Sequence, residues 1–226
     1  MMSKNREALF RWLKVLFYIH VAGALLSVLA LAATILPISV GSWYTWAQRA
    51  VNLGVAVCLY LLPGKYRYAG MLKALALLCT LISMGLYPLL NAYGIQMQGA
   101  TYMETIKWLS RCTVALNLLS FIFEFTTHAK NVGRDKVKWY ILLGCSLAVT
   151  LVSHAAAYFG QPILDALDME EYIRITKVWN VAARTLSLLI SAAYLVLLNR
   201  LVRTTGQKKY QELDVSQEDT DNFNEV

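Results

Sequence analysis

Six basic residues of this chain, Arg49, Lys107, Arg111, Arg174, Lys177 and Arg184, stand within or against stretches made otherwise of apolar side chains. Their spacing is regular. Lys107 and Arg111 are four apart, and Arg174, Lys177 and Arg184 fall at i, i+3 and i+10, with Val181 at i+7. On a helix each set lies along one face. Asn180 precedes Arg184 by four residues and Asn52 follows Arg49 by three, so polar side chains share the arginine-bearing faces. A guanidinium is a planar fork of donors that matches a carboxylate or a phosphate. The chemistry within reach of these residues is therefore anion binding, with Arg49, Arg111, Arg184, Asn180, Asn52, Lys107 and Lys177 as the candidate ligand set. Trp46, Trp108 and Trp179 sit beside them and suit a membrane interface or the mouth of a site.

Other chemistry is poorly represented. No HExxH, GxSxG, P-loop or CxxC occurs. Cys58, Cys79, Cys112 and Cys145 fall in four different apolar stretches and read as small hydrophobes. His20 and His154 differ in depth by two turns or more, which argues against a haem or metal held between them. His128 reads as an interfacial residue. Glu124, a lone acid, reads as the partner of nearby basic connections in an interfacial salt bridge. No catalytic residue, metal site or cofactor is expected, and a binding role is favoured over an enzymatic one.

The elements that must position the arginines follow from composition. Of 226 residues, 58% are hydrophobic and only 15% charged, against about 25% charge in an average soluble domain. The mean hydropathy is +0.47. A helix needs about 20 apolar residues to cross a bilayer. Six stretches qualify: 12–36, 43–62, 69–93, 103–127, 138–160 and 173–201. The apolar runs are continuous rather than alternating, so helices are preferred over barrel strands. The first run is about twice a signal-peptide core in length and reads as a span. The expected fold is an all-α polytopic membrane protein of six transmembrane helices. A cytoplasmic segment 1–11 precedes a membrane domain 12–203, and a disordered acidic tail 204–226 follows it. Pro88 should kink the third span in its outer half.

Of the 21 Lys and Arg residues, 15 cluster at one side: around Lys4–Lys14, Lys65–Lys73, Lys130–Lys138 and Arg200–Lys209. The opposite connections carry no base at 37–42, and Asp165, Asp168, Glu170 and Glu171 between spans five and six. The positive-inside rule then puts both termini in the cytoplasm of a multi-pass plasma-membrane protein. It also accounts for the net charge of +7 without nucleic acid as a partner.

The six remaining bases are all on even-numbered spans, in their outer parts. Counted from the inner ends, Arg49, Arg111 and Arg184 lie roughly 21 to 26 Å up, near one level. Trp46-x-x-Arg49 and Trp108-x-x-Arg111 match, and the chain reads as three repeated helical hairpins, each with a deep arginine on its second helix. Pairing with Glu104, Asp165, Asp168, Glu170 and Glu171, or snorkelling to the interface, would explain Lys107, Arg174 and Lys177. It explains Arg184 less well, since that residue is some ten positions inside its span.

The sequence thus leads to an integral membrane protein that binds or translocates a small anionic solute or an anionic lipid headgroup from the outer side. An enzyme acting on a lipid-linked diphosphate and a non-catalytic scaffold of a membrane complex are the alternatives. In size and span count alone the chain is similar to compact six-span solute-binding subunits of modular importers, which implies a partner subunit or a homo-oligomer.

Overall fold

A computed structural model describes residues 2–36, 38, 41–93, 99–132, 135–159 and 168–223, without the side chains of 2–5, 87, 89, 100, 132, 157–159 and 208–223. Asp165, and residues 37, 134 and 160 of the ranges given above, lie outside the described residues. The described residues form six helices: α1 (Met2–Ile35), α2 (Gly41–Leu61), α3 (Tyr66–Ala92), α4 (Gly99–Val132), α5 (Lys136–Phe159) and α6 (Met169–Phe223).

Local chemistry sets several of the boundaries. After α2, Pro63 cannot continue the hydrogen-bond ladder, and Gly64 takes a left-handed φ of 76° that turns the chain into α3. Asp168 caps α6: its Oδ1 accepts the Glu171 backbone N–H at 2.8 Å, and Glu170 and Glu171 fill the first turn. Pro88 lies inside α3, which runs on to Ala92.

Five of these helices, α1, α3, α4, α5 and α6, are long and apolar enough to cross a membrane by length and composition. The chain is a helical protein of membrane type. α2 falls short on that measure because Trp43, Tyr44, Gln48, Arg49 and Asn52 load its first half with polar and amphipathic groups.

Two boundaries differ from the sequence reading. α1 begins at Met2, so residues 2–11 run as helix without a break into the first apolar stretch. α6 continues as helix past Arg203 to Phe223, where a disordered tail was expected. Once a helix is anchored by packing, good helix formers such as Lys, Gln and Glu extend it without a new nucleation cost.

Sequential helices are spatial neighbours. α1 packs on α2, α2 on α3, α3 on α4, α4 on α5 and α5 on α6, and α6 returns to α1 to close the ring. α4 and α6 also touch across it. The buried side chains collect at one end of this ring, the end where α1 starts and α2 and α4 finish. Leu13 and Leu16, Leu59 and Leu62, Tyr66, Trp139, Leu198 and Leu201 are all at or near full burial there. At the opposite, distal end the described side chains are half-buried or exposed, apart from Ala30 and Ala33 of α1. The bundle is closed at its terminal end and loose at its distal end.

In lipid, apolar side chains gain little by leaving hydrocarbon, so close packing and interhelical hydrogen bonds hold such a bundle together. Among the described glycines the tightest backbone approach is at Gly70 of α3. A Cβ there would stand 2.4 Å from the Tyr60 N and 2.7 Å from the Ala56 O of α2. Other helix glycines are less close: Gly54 meets only the Ile19 side chain, and nothing lies within 4 Å of a Cβ on Gly144. Gly70→Ala should therefore push α2 from α3 and cost about 1–3 kcal/mol or more, read as a lowered unfolding midpoint in detergent, whereas Gly144→Ala should leave the midpoint unchanged.

Candidate functional site

α4 presents Ser120, Glu124, His128 and Asn131 along one side, at spacings of four, four and three. This face turns into the ring, toward α3, α5 and α6. Ser120 Oγ donates to the Ala69 carbonyl of α3 at 2.9 Å. Glu124 is buried, and the Tyr194 hydroxyl of α6 donates to its Oε1. His128 Nε2 lies 3.3 Å from the Tyr194 hydroxyl and 3.6 Å from Glu124 Oε1. The other ring nitrogen, Nδ1, is 2.9 Å from the Tyr66 hydroxyl of α3. Asn131 Nδ2 donates to that same hydroxyl at 3.1 Å.

Aromatic packing fixes this network. The Trp139 ring of α5 stacks on His128 at 4.5 Å between centroids, and the His20 ring of α1 lies 4.6 Å from that of Tyr194. Lys73 of α3 is buried next to the network, with its ammonium 5.0 Å from the Phe121 ring centre. A carboxylate, two imidazoles, two phenols and an ammonium are thus brought together by four helices.

A cavity of about 210 Å³ opens on the distal side of Glu124. Its polar lining is His20, Glu124, Ser146, Thr150, Ser187, Ser191 and Tyr194. Ser146, Thr150 and Ser191 donate their hydroxyl protons to carbonyls one turn back on their own helices, at 2.8, 2.8 and 2.9 Å. Their lone pairs are what remain for the cavity. His20 Nε2 is buried without a hydrogen-bond partner.

Ser187 also lines a second, more distal cleft of about 290 Å³ between α1, α2 and α6, shared with Ser27, Tyr44, Gln48 and Arg184. No carboxylate stands among the described residues lining this cleft. Ser187 thus borders both the cleft that holds Arg184 and the cavity that holds Glu124.

Of the seven residues singled out by sequence, this cleft takes one. Arg184 lines it and is exposed, since the loose distal end does not close over it. Arg49 lies in the α2–α3 seam, stacked on Trp46 at 4.8 Å, with Nη2 against the Met84 sulfur and Nη1 buried without a hydrogen-bond partner. Arg111 stacks on Trp108 at 5.2 Å on exposed α4, two places from α2 in the ring. Among the described contacts none joins the three guanidinia. Asn52, Lys107, Lys177 and Asn180 are exposed and outside the cleft. The matching Trp-x-x-Arg pairs have a local cause, a cation–π stack across one helical turn.

Sequence reasoning missed the Glu124 network. Glu124 and His128 pair with phenols inside the ring rather than with basic connections at an interface, because their face of α4 meets α3 and α6. The i,i+4 repeat Ser120-Glu124-His128, facing a tyrosine-bearing helix, was the available signal. Comparison of the chain with protein-family models, with curated proteins and with solved structures finds no match.

Glu124→Gln and Tyr194→Phe each disturb the same buried bond and should each cost about 1–3 kcal/mol of stability. In reversible unfolding the double variant should cost clearly less than the two losses added together. Additive losses would mean that the two groups do not act on each other.

Proposed function

We propose that the protein binds a small phosphate- or carboxylate-bearing solute, or an anionic lipid headgroup, at the Arg184 cleft and admits it toward the centre of the bundle from the outer side of the plasma membrane. The observation that carries this reading is the cleft itself. It holds a guanidinium with no carboxylate partner among the described residues, beside the hydrogen-bonding groups of Ser27, Tyr44, Gln48 and Ser187. It stands above a packed terminal end that blocks passage, the arrangement of a translocator opened to one side. Arg49, one helix away, also lacks a carboxylate partner among the described contacts and adds positive potential.

The membrane placement belongs to the same proposal. α2 serves as a sixth span, because its second half, with Val55, Ala56, Cys58 and Leu59, is built into the core alongside the other five helices. The clustered bases of the terminal end face the cytoplasm by the positive-inside rule, with both termini inside. So small a bundle works with a partner subunit or as a homo-oligomer.

The test is ligand-dependent thermal stabilisation of purified wild type, Arg184→Lys and Arg184→Leu. Inorganic phosphate, small carboxylates and anionic lipids form separate arms, so that a free solute and a headgroup are told apart. At about 100 times its Kd a ligand adds roughly 2.7 kcal/mol to the folded state. Wild type should respond to at least one anion, Arg184→Lys more weakly because the bidentate fork is lost, and Arg184→Leu not at all. Identical responses of all three proteins to every anion would overturn the proposal.

A further inference from the structure

The proposed anion cleft makes no use of the groups buried below it. Glu124 ends a hydrogen-bonded chain whose donors can all point one way. Asn131 donates to the Tyr66 oxygen. The Tyr66 proton is then free for His128 Nδ1, 2.9 Å away. That assigns the neutral His128 proton to Nε2, where it faces the Tyr194 oxygen at 3.3 Å. The Tyr194 hydroxyl in turn donates to Glu124 Oε1. The direction is assigned from the partners of each atom, and only this one uses every donor.

The chain has two ends of different character. Asn131 is exposed at the terminal end of α4. Glu124 is seven residues further along, about 10 Å into the bundle, and lines the cavity that leads to Ser187. The side chains between them are enclosed by Trp139, Phe125 and their neighbours in the packed core. A titratable acid with a cavity on one side and a phenol–imidazole chain on the other is placed to exchange protons with both.

We propose that Glu124 is a proton-binding site and that Tyr194, His128 and Tyr66 carry protons between it and the terminal end of the bundle. In the inward direction the Tyr66 O–H bond breaks as His128 Nδ1–H forms, and the phenolate regains a proton from a hydronium ion of the terminal-side solution that reaches its oxygen beside exposed Asn131, leaving water. The His128 Nε2–H bond breaks as its proton passes to the Tyr194 oxygen, whose own proton goes to Glu124 Oε1. The net change is one hydronium ion of the terminal-side solution turned to water and one carboxylate neutralised. The reverse hops release it, and otherwise a turn of the hydroxyls and the imidazole resets the chain.

The groups that set the state of Glu124 come from every helix around it. α1 brings His20, α3 brings Tyr66 and Lys73, α4 brings His128 and α6 brings Tyr194, while α5 contributes Trp139, Ser146 and Thr150, which carry no charge. His20, unpartnered at Nε2, lines the same cavity and is a titratable group there that the chain does not use. Coupling of this proton to solute movement rests on the reading of the Arg184 cleft. Proton binding itself does not.

The experiment is infrared spectroscopy of the full-length protein in proteoliposomes of uniform orientation, following the carbonyl stretch of a protonated carboxyl after a pH drop on one side, with no solute present. Wild type should gain the band from either side. Glu124→Gln should lack it, and Glu124→Asp should shift it. Tyr66→Phe should keep the band at full height but gain it at least about tenfold more slowly after a drop at the terminal side, with the distal-side rate unchanged. A purely structural role for Tyr66 would leave the two sides equal. A band unaltered in Glu124→Gln, or a Tyr66→Phe rate equal to wild type at the terminal side, overturns the proposal. If the band behaves as described while no anion stabilises the wild type, the solute reading falls and the proton site stands.

Discussion

The bond between the Tyr194 hydroxyl and the Glu124 carboxylate is the constraint around which the bundle is arranged. A carboxylate this deep in an apolar structure is expensive unless it is hydrogen-bonded and faces other polar groups. Satisfying it takes α6 across the ring to α4, His128 one turn along, and Tyr66 from α3 to hold His128 in turn. Each partner fixes a helix. Trp139 then covers the imidazole, and the leucines of α1, α2 and α6 fill the remaining space. Removing the carboxylate's donor would leave the other members without their reason to converge.

This constraint sits toward one end, and the asymmetry of the bundle follows from it. Below Glu124 the aromatic and leucine side chains close the ring. Above it the helices carry serines, threonines and the Arg184 cleft, and buried side chains thin to alanines. Small hydroxyl residues satisfy their protons on their own helices, so they line a cavity without tying helices together. A closed end, a polar cavity and a wider cleft therefore arise from one distribution of residue types along the six helices. The anion and the proton readings use different parts of it: the first the cleft, the second the closed end.

Much of the framework was legible in the sequence. Continuous apolar runs give the helices. The depth of single side chains was less legible, because it depends on which face of a helix meets which neighbour. Arg184 counts as deep by position yet stands exposed in an open cleft. Glu124 counts as interfacial by position yet is enclosed, since α3 and α6 close over its face. Three arginines at one level could be counted from the helix ends, but their azimuths are set by the ring order, which puts Arg49, Arg111 and Arg184 in different places. The tight contact at Gly70 was likewise hidden. Its partner atoms are backbone atoms of α2, and the four-residue spacing of Gly70 and Ala74 on α3 does not by itself name them.

The claim that the bundle is closed at its terminal end and open from the distal end to the Glu124 cavity is tested most directly by thiol accessibility. Ser187 lines both the cleft and the cavity, whereas Ala129 is fully buried in the closed end. Each is replaced by cysteine in a protein whose Cys58, Cys79, Cys112 and Cys145 have been removed, and a membrane-impermeant thiol reagent is applied to right-side-out and to inverted vesicles. With the proposed orientation, Ser187→Cys should react from the outer face only, and Ala129→Cys from neither. Reaction of Ser187→Cys from the cytoplasmic face, or of Ala129→Cys from either, would contradict the account.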